Sequence, residues 1–323
     1  MAINRVATMD YAERYWDRPC DDGVIWLTYG AINVEQKRRE LGAPASEGWE
    51  ALFEKDGLGS EQAVFRNSRT GEGWLIHPWE GLADCAHFIS KCLQAGGINV
   101  PVELDVGRLL SALQARSDTK TLAEKVGKNQ AQKIINTKIF KKGDFIGYFN
   151  IDPTGDLGGA KIYTHSTLYA GDFQENGQTV AGVTCHTKSR FLNKNTSAEN
   201  KWYLGDRYQY TLVHFSNDDP PPNRLDAEIL SGWWKIEYGR SVEYYYIFKD
   251  GRARYTLRPP ATNRELMTAD GSAYWFQDGN KITFIWRKTG TLEEWTLGAS
   301  ARQASISVDN LHGKTAGKAT KLF

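Results

Sequence analysis

The chain has 323 residues, more than one ordinary core organises and enough for two domains. Its 40 Lys and Arg nearly match its 39 Asp and Glu, and the formal charge of +1 argues against a protein built mainly to bind nucleic acid. Hydrophobic residues at 41% fit a globular protein, no segment reaches the roughly 20 apolar residues of a membrane helix, and four cysteines are too few for a disulfide scaffold.

The N-terminal residues carry charges and lack the apolar core of a secretory signal, which predicts a cytoplasmic protein as synthesised, with reduced thiols. Any export would need a signal-independent route. Residues 8–17 read as a helix with Tyr11 and Tyr15 four apart, ended by Pro19. Residues 46–55 read as a second helix capped by Ser46, 84–95 as a third, and 105–126 as one or two more. From 143 onward short β-rich runs take over, so residues 1–216 predict an α+β domain with an antiparallel sheet.

The stretch N-D-D-P-P-P-N at 217–223 reads as a stiff linker, because three prolines can continue neither a helix nor a strand ladder. Beyond it, residues 224–298 are rich in Trp and Tyr. Asp250-Gly251 and Asp278-Gly279 lie between β-prone runs as hairpin signals, which predicts a small all-β antiparallel barrel or curved sheet. Its patterning loosely resembles lipocalin-like barrels. Residues 299–323, with Arg302, Lys314, Lys318 and Lys321 against Asp309, read as a mobile or loosely docked tail.

The third helix carries the chemistry. In D-C-A-H-F-I-S-K-C-L-Q-A-G-G at 84–97, Cys85, Phe88, Ile89, Cys92 and Leu93 recur at helical spacing, with Asp84 as cap and Gly96-Gly97 as stop. Cys85 therefore falls in the first turn, where the helix dipole favours a thiolate, while Cys92 lies deeper and reads as core. Both also fit as small buried residues. A nucleophilic thiol needs an imidazole to accept its proton, and that imidazole needs a third polar group. His165 opens H-S-T-L-Y-A-G-D-F, and His186 lies in V-T-C-H-T. A hairpin around Asn176-Gly177 would let both rings reach one face near the helix start.

This series, D-C-x-x-F-I-S-x-x-L-x-A-G-G, then G-D-F-I, then H-S-T-L-Y-A-G-D, then C-H-T, resembles the papain-like cysteine hydrolases of bacterial cell walls. It is similar both to their amidase-domain family and to the NlpC-type peptidases, over about residues 80–215. The resemblance implies a papain-like α+β fold with Cys85 as nucleophile, His165 as base and His186 as third residue. Asp84, Gly143 and Asp144 match framework positions. The residue two after the nucleophile, often Asn in the amidase-domain pattern, is His87 here.

Around these, Asp84, His77, Trp79 and Ser166 are candidate cleft residues. His87 should point away from Cys85 to the surface or a supporting position, and His214 reads as a sheet residue. The Trp and Tyr side chains of the second domain should fill a barrel, or else Tyr244, Tyr246 and Trp275 form an exposed stacking row. No H-E-x-x-H, C-x-x-C or carboxylate cage occurs, so neither metal nor cofactor is expected.

The expected function is a cysteine amidohydrolase. The resemblance implies a peptidoglycan amide as substrate; with no signal segment, that points to an antibacterial effector. Its partners would then be a peptidoglycan fragment, a secretion-machine component and a cognate immunity protein. Two other readings stand beside it: a cysteine hydrolase or acyltransferase acting on a cytosolic protein or lipid, and a non-catalytic ligand-binding protein on the same scaffold.

Overall fold

A computed structural model describes residues 2–78, 80–150, 161–196, 204–217, 219, 224–260, 271–310 and 313–322. The chain divides into two compact units, Met1–Thr119 with Lys141–Tyr208, and Lys120–Phe140 with Gln209–Phe323. The proline run at 220–222 and Trp79 lie outside the described residues.

The first unit opens with α1 (Arg5–Tyr15), capped by the Asn4 side chain, which accepts from the Ala7 amide. There follow β1 (Val24–Leu27), β2 (Gly30–Asn33), α2 (Val34–Leu41), β3 (Trp49–Lys55), β4 (Glu61–Asn67) and β5 (Gly73–His77). β1 pairs with β2, and β3, β4 and β5 form a three-stranded sheet. Ile25, Phe53, Phe65, Ile76 and Leu82 make a small core there.

Residues 46–55 were expected as a helix; 49–55 form β3 instead. Glu, Ala, Leu and Lys favour a helix on their own, but full pairing with β4 from Trp49↔Asn67 to Lys55↔Glu61 and burial of Phe53 override that preference.

The chain continues through α3 (Cys85–Ala95) and α4 (Val106–Gln114). β6 (Thr119–Val126) and α5 (Lys128–Asn136) pass to the second unit, so only part of the helical stretch expected over 105–126 is helix. The first unit resumes with β7 (Phe145–Asn150), β8 (Tyr163–Glu175), β9 (Gln178–Cys185), β10 (Arg190–Leu192) and β11 (Lys194–Asn195), paired antiparallel in that order. The β8–β9 turn is the expected Asn176-Gly177, with φ of 51° and 77°. α3 packs on β8, burying Phe88, Ile89 and Leu93.

In the second unit, β12 (Tyr208–Phe215) lies beside β6, and α6 (Arg224–Leu230) precedes eight strands. These are β13 (Gly232–Tyr238), β14 (Ser241–Ile247), β15 (Arg252–Thr256), β16 (Gly271–Asp278), β17 (Lys281–Trp286), β18 (Thr291–Leu297), β19 (Gln303–Asn310) and β20 (Gly313–Lys321). They close into an antiparallel barrel in which β20 pairs back onto β13. The expected barrel is present; Asp250-Gly251 lies in the turn between β14 and β15, and Asp278 ends β16 with Gly279 opening the turn to β17.

Residues 299–323, expected as a tail, supply two of the eight strands. Their low hydrophobicity hides this, because Ala304 and Ala319 face a core already filled by Trp234, Trp275 and Trp295, and small side chains fit there. The exposed aromatic row does not form. Trp275 is buried inside the barrel, while Tyr244 and Tyr246 flank the inward-facing Tyr245.

Candidate active site

Cys85 is the first residue of α3, as the sequence predicts, but Asp84 does not cap the helix with its side chain. Its buried carboxylate is drawn elsewhere. One oxygen accepts from the Trp26 amide at 3.1 Å and meets His87 Nδ1 at 2.9 Å; the other meets His186 Nδ1 at 2.5 Å. The Asp84 amide donates to Thr187 Oγ1 at 2.9 Å. Burial opposes the carboxylate's charge, yet the bonds to His186 and His87 outweigh it and hold the group below its ordinary range.

His87 is fully buried rather than at the surface. Its second nitrogen meets Asp22 Oδ2 at 2.9 Å, so the ring bridges two carboxylates. Burial works against its charged form, but Asp84 and Asp22 more than compensate and raise its pKa. His186 lies flat against Phe88 at 4.0 Å between ring centroids, with Phe53 edge-on, and its Nε2 donates to the Tyr15 carbonyl at 2.7 Å. The result is a buried chain running Asp22, His87, Asp84, His186, Tyr15.

Cys85 is only 6% exposed, and burial pushes its thiol up. The polar groups beside its sulfur include the amide and hydroxyl of Ser166 and the amide of Ala86. Side chains alternate along a strand, so His165, the neighbour of Ser166, projects from the other face of β8. There it pairs in register with Tyr148, ring edge to ring face at 5.3 Å. Burial, then the nearby Arg190 and Lys188 charges, lower His165 to about 3, so the ring is neutral.

The expected meeting of both histidines on one face is replaced by a split, and its cause is a β-bulge. Beyond the bulge Gly171 opposes Gly182, but before it Leu168 opposes Thr184, a shift of one residue around Ala170. That shift carries Ser166 and Leu168, rather than His165, onto the face of Thr184 and His186. Gly171, with φ of +108° inside a strand, is the one sequence signal of the bulge.

Other predicted positions are accounted for. Asp144 is fully buried and binds Arg5 at 2.8 Å and the Lys141 amide, tying α1 to the start of β7. Gly143 has φ of +86° and donates to the Tyr169 carbonyl. His77 ends β5, with Nδ1 2.5 Å from the Pro78 carbonyl.

Cys20, which belongs to none of the motif segments, is buried. Its sulfur, an Asp84 oxygen and a His186 nitrogen lie within 4.8 Å of one another and could supply three metal ligands. The carboxylate and the ring already bond each other, so the group is satisfied as a hydrogen-bonded cluster. Burial pushes the Cys20 thiol up, and Asp84 adds to the effect. No protein-family model matches the chain, and no curated protein matches it.

Proposed function

We propose that the protein is a cysteine hydrolase with a papain-like α+β catalytic domain, in which Cys85 attacks an amide carbonyl. The observation that carries this reading is a convergence. Ser166 sits beside the Cys85 thiol, and His186 and Thr187 bind the side chain and amide of Asp84, so three motif segments meet at the start of α3. Free N–H groups in a first helical turn favour both a thiolate and the oxyanion formed on attack.

In the reaction the sulfur bonds the carbonyl carbon, and the thiol proton passes to an imidazole and then to the leaving amine. Water releases the acyl group. The resemblance gives the imidazole role to His165, although burial and the nearby Arg190 and Lys188 charges hold its pKa at about 3 and oppose its protonation. In the structure His165 lies on the face of β8 opposite Ser166, paired with Tyr148, so the resemblance's base is not beside the thiol. His186, held by Asp84, is the positioning residue in this scheme. A peptidoglycan amide is the substrate class proposed from the resemblance.

The buried, raised thiol favours a competing reading, a silent hydrolase-like scaffold. Iodoacetamide labelling near neutral pH, read by mass spectrometry, separates the two. Selective labelling of Cys85, slowed in His165→Ala, supports catalysis; selective labelling unchanged in His165→Ala removes His165 as the base. Equal, slow labelling of Cys85 and the fully buried Cys92 selects the scaffold.

A further inference from the structure

Among the described residues, one end of the barrel interior is left unfilled. A cavity of about 510 Å³ opens there, where β13 meets β14 and β17 meets β18. Four rings line it, those of Tyr238, Tyr245, Tyr255 and Trp286. Trp286 meets Tyr255 at 5.1 Å and 89°, and Tyr245 at 4.9 Å and 68°, so the rings present faces at steep angles, as the sides of a box do.

Two carboxyl groups reach the same space. Glu293 is 1% exposed and accepts from Tyr245 Oη at 2.8 Å, Trp286 Nε1 at 3.1 Å and Trp295 Nε1 at 2.5 Å. Glu243 lies 3.2 Å from the same Tyr245 hydroxyl. Every donor to Glu293 is neutral, and among the described residues no salt bridge neutralises either carboxylate. Burial raises the pKa of both. Lys288 is exposed at the rim.

We propose that this cavity binds a small organic ammonium ion, enclosed by Tyr245, Tyr255 and Trp286 and neutralised by Glu243 and Glu293. Aromatic faces attract a desolvated cation through their quadrupoles, and a bulky alkylammonium gains the apolar contact that a metal ion cannot. A neutral polyol would use the rings and the Ser and Thr hydroxyls of the rim but would leave the two carboxyls without a countercharge. This site is independent of the catalytic reading, since it uses none of the residues around Cys85.

The test is calorimetric titration of the full-length protein with choline, with its neutral isostere 3,3-dimethylbutan-1-ol and with glucose, in parallel with tryptophan fluorescence. The expected result is saturable choline binding, at least about tenfold weaker binding of the isostere, and a similar loss in Glu243→Gln. Glu243 is half-buried, so this variant keeps the barrel core, and an unchanged circular dichroism spectrum verifies that. Equal binding of choline and the isostere, binding of glucose alone, or no saturable choline binding up to about 50 mM would each overturn the proposal.

Discussion

Asp84 and His186, 102 residues apart in sequence, share a hydrogen bond of 2.5 Å at the first turn of the cysteine helix. Asp84 also holds His87 and the Trp26 amide, so one buried carboxylate fixes α3 against β1 and the end of β9. Removing it leaves two buried rings without their shared acceptor. Asp84→Ala should therefore cost about 3–5 kcal/mol of stability, read as a lower urea midpoint. A midpoint within about 0.5 kcal/mol of wild type would mean the cluster is held by other contacts.

His87 makes part of that stability depend on pH. Its folded pKa lies above the ordinary value, so its contribution is complete below about pH 6.5 and declines as pH rises through the folded value. The stability gap between wild type and His87→Gln should narrow on going from about pH 6 to about pH 9. Urea titrations at a series of pH values measure it, and a gap that widens with pH would contradict the assignment.

Gly171 holds the bulge that decides which face His165 takes. A side chain there is strained at φ +108°, and a Cβ would come 2.5 Å from Lys142 Cε, although that flexible chain can move. Gly171→Ala should cost about 1–3 kcal/mol, mainly from backbone strain, by thermal or urea unfolding. A neutral result would show that β8 accommodates another register.

Gly317 tests whether the C-terminal residues close the barrel. A Cβ there would lie 2.5 Å from Tyr238 Cδ1 and 2.8 Å from the Glu237 backbone oxygen, which cannot yield without breaking the β13–β20 pairing. Gly317→Val should destabilise the barrel by about 1–3 kcal/mol or more. A tail would tolerate the change. Calorimetric unfolding of the variant separates the two.

The cysteine helix was legible because its apolar residues keep one period over 11 residues and two glycines end it. The barrel hairpins were legible because Asp-Gly turns leave few alternatives. β3 was not, since its composition favours a helix and only its partner strand decides otherwise. β19 and β20 were not, since small inward residues make sense only beside the tryptophans they face. The role of Asp84 was hidden for a related reason. A residue before a helix reads as its cap, while the histidine that recruits it lies far along the chain. The face of His165 depended on one extra residue in β8, which no alternation pattern reveals.

The central claim is that Cys85 is a nucleophile toward amides, and digestion of purified peptidoglycan by wild type and Cys85→Ala, followed by mass analysis of soluble fragments, tests it most directly. The account predicts fragments whose new amine and carboxyl ends name the cleaved bond, released by wild type and absent with Cys85→Ala. Equal release by both proteins would contradict the nucleophile, and no release by wild type would contradict the proposed substrate.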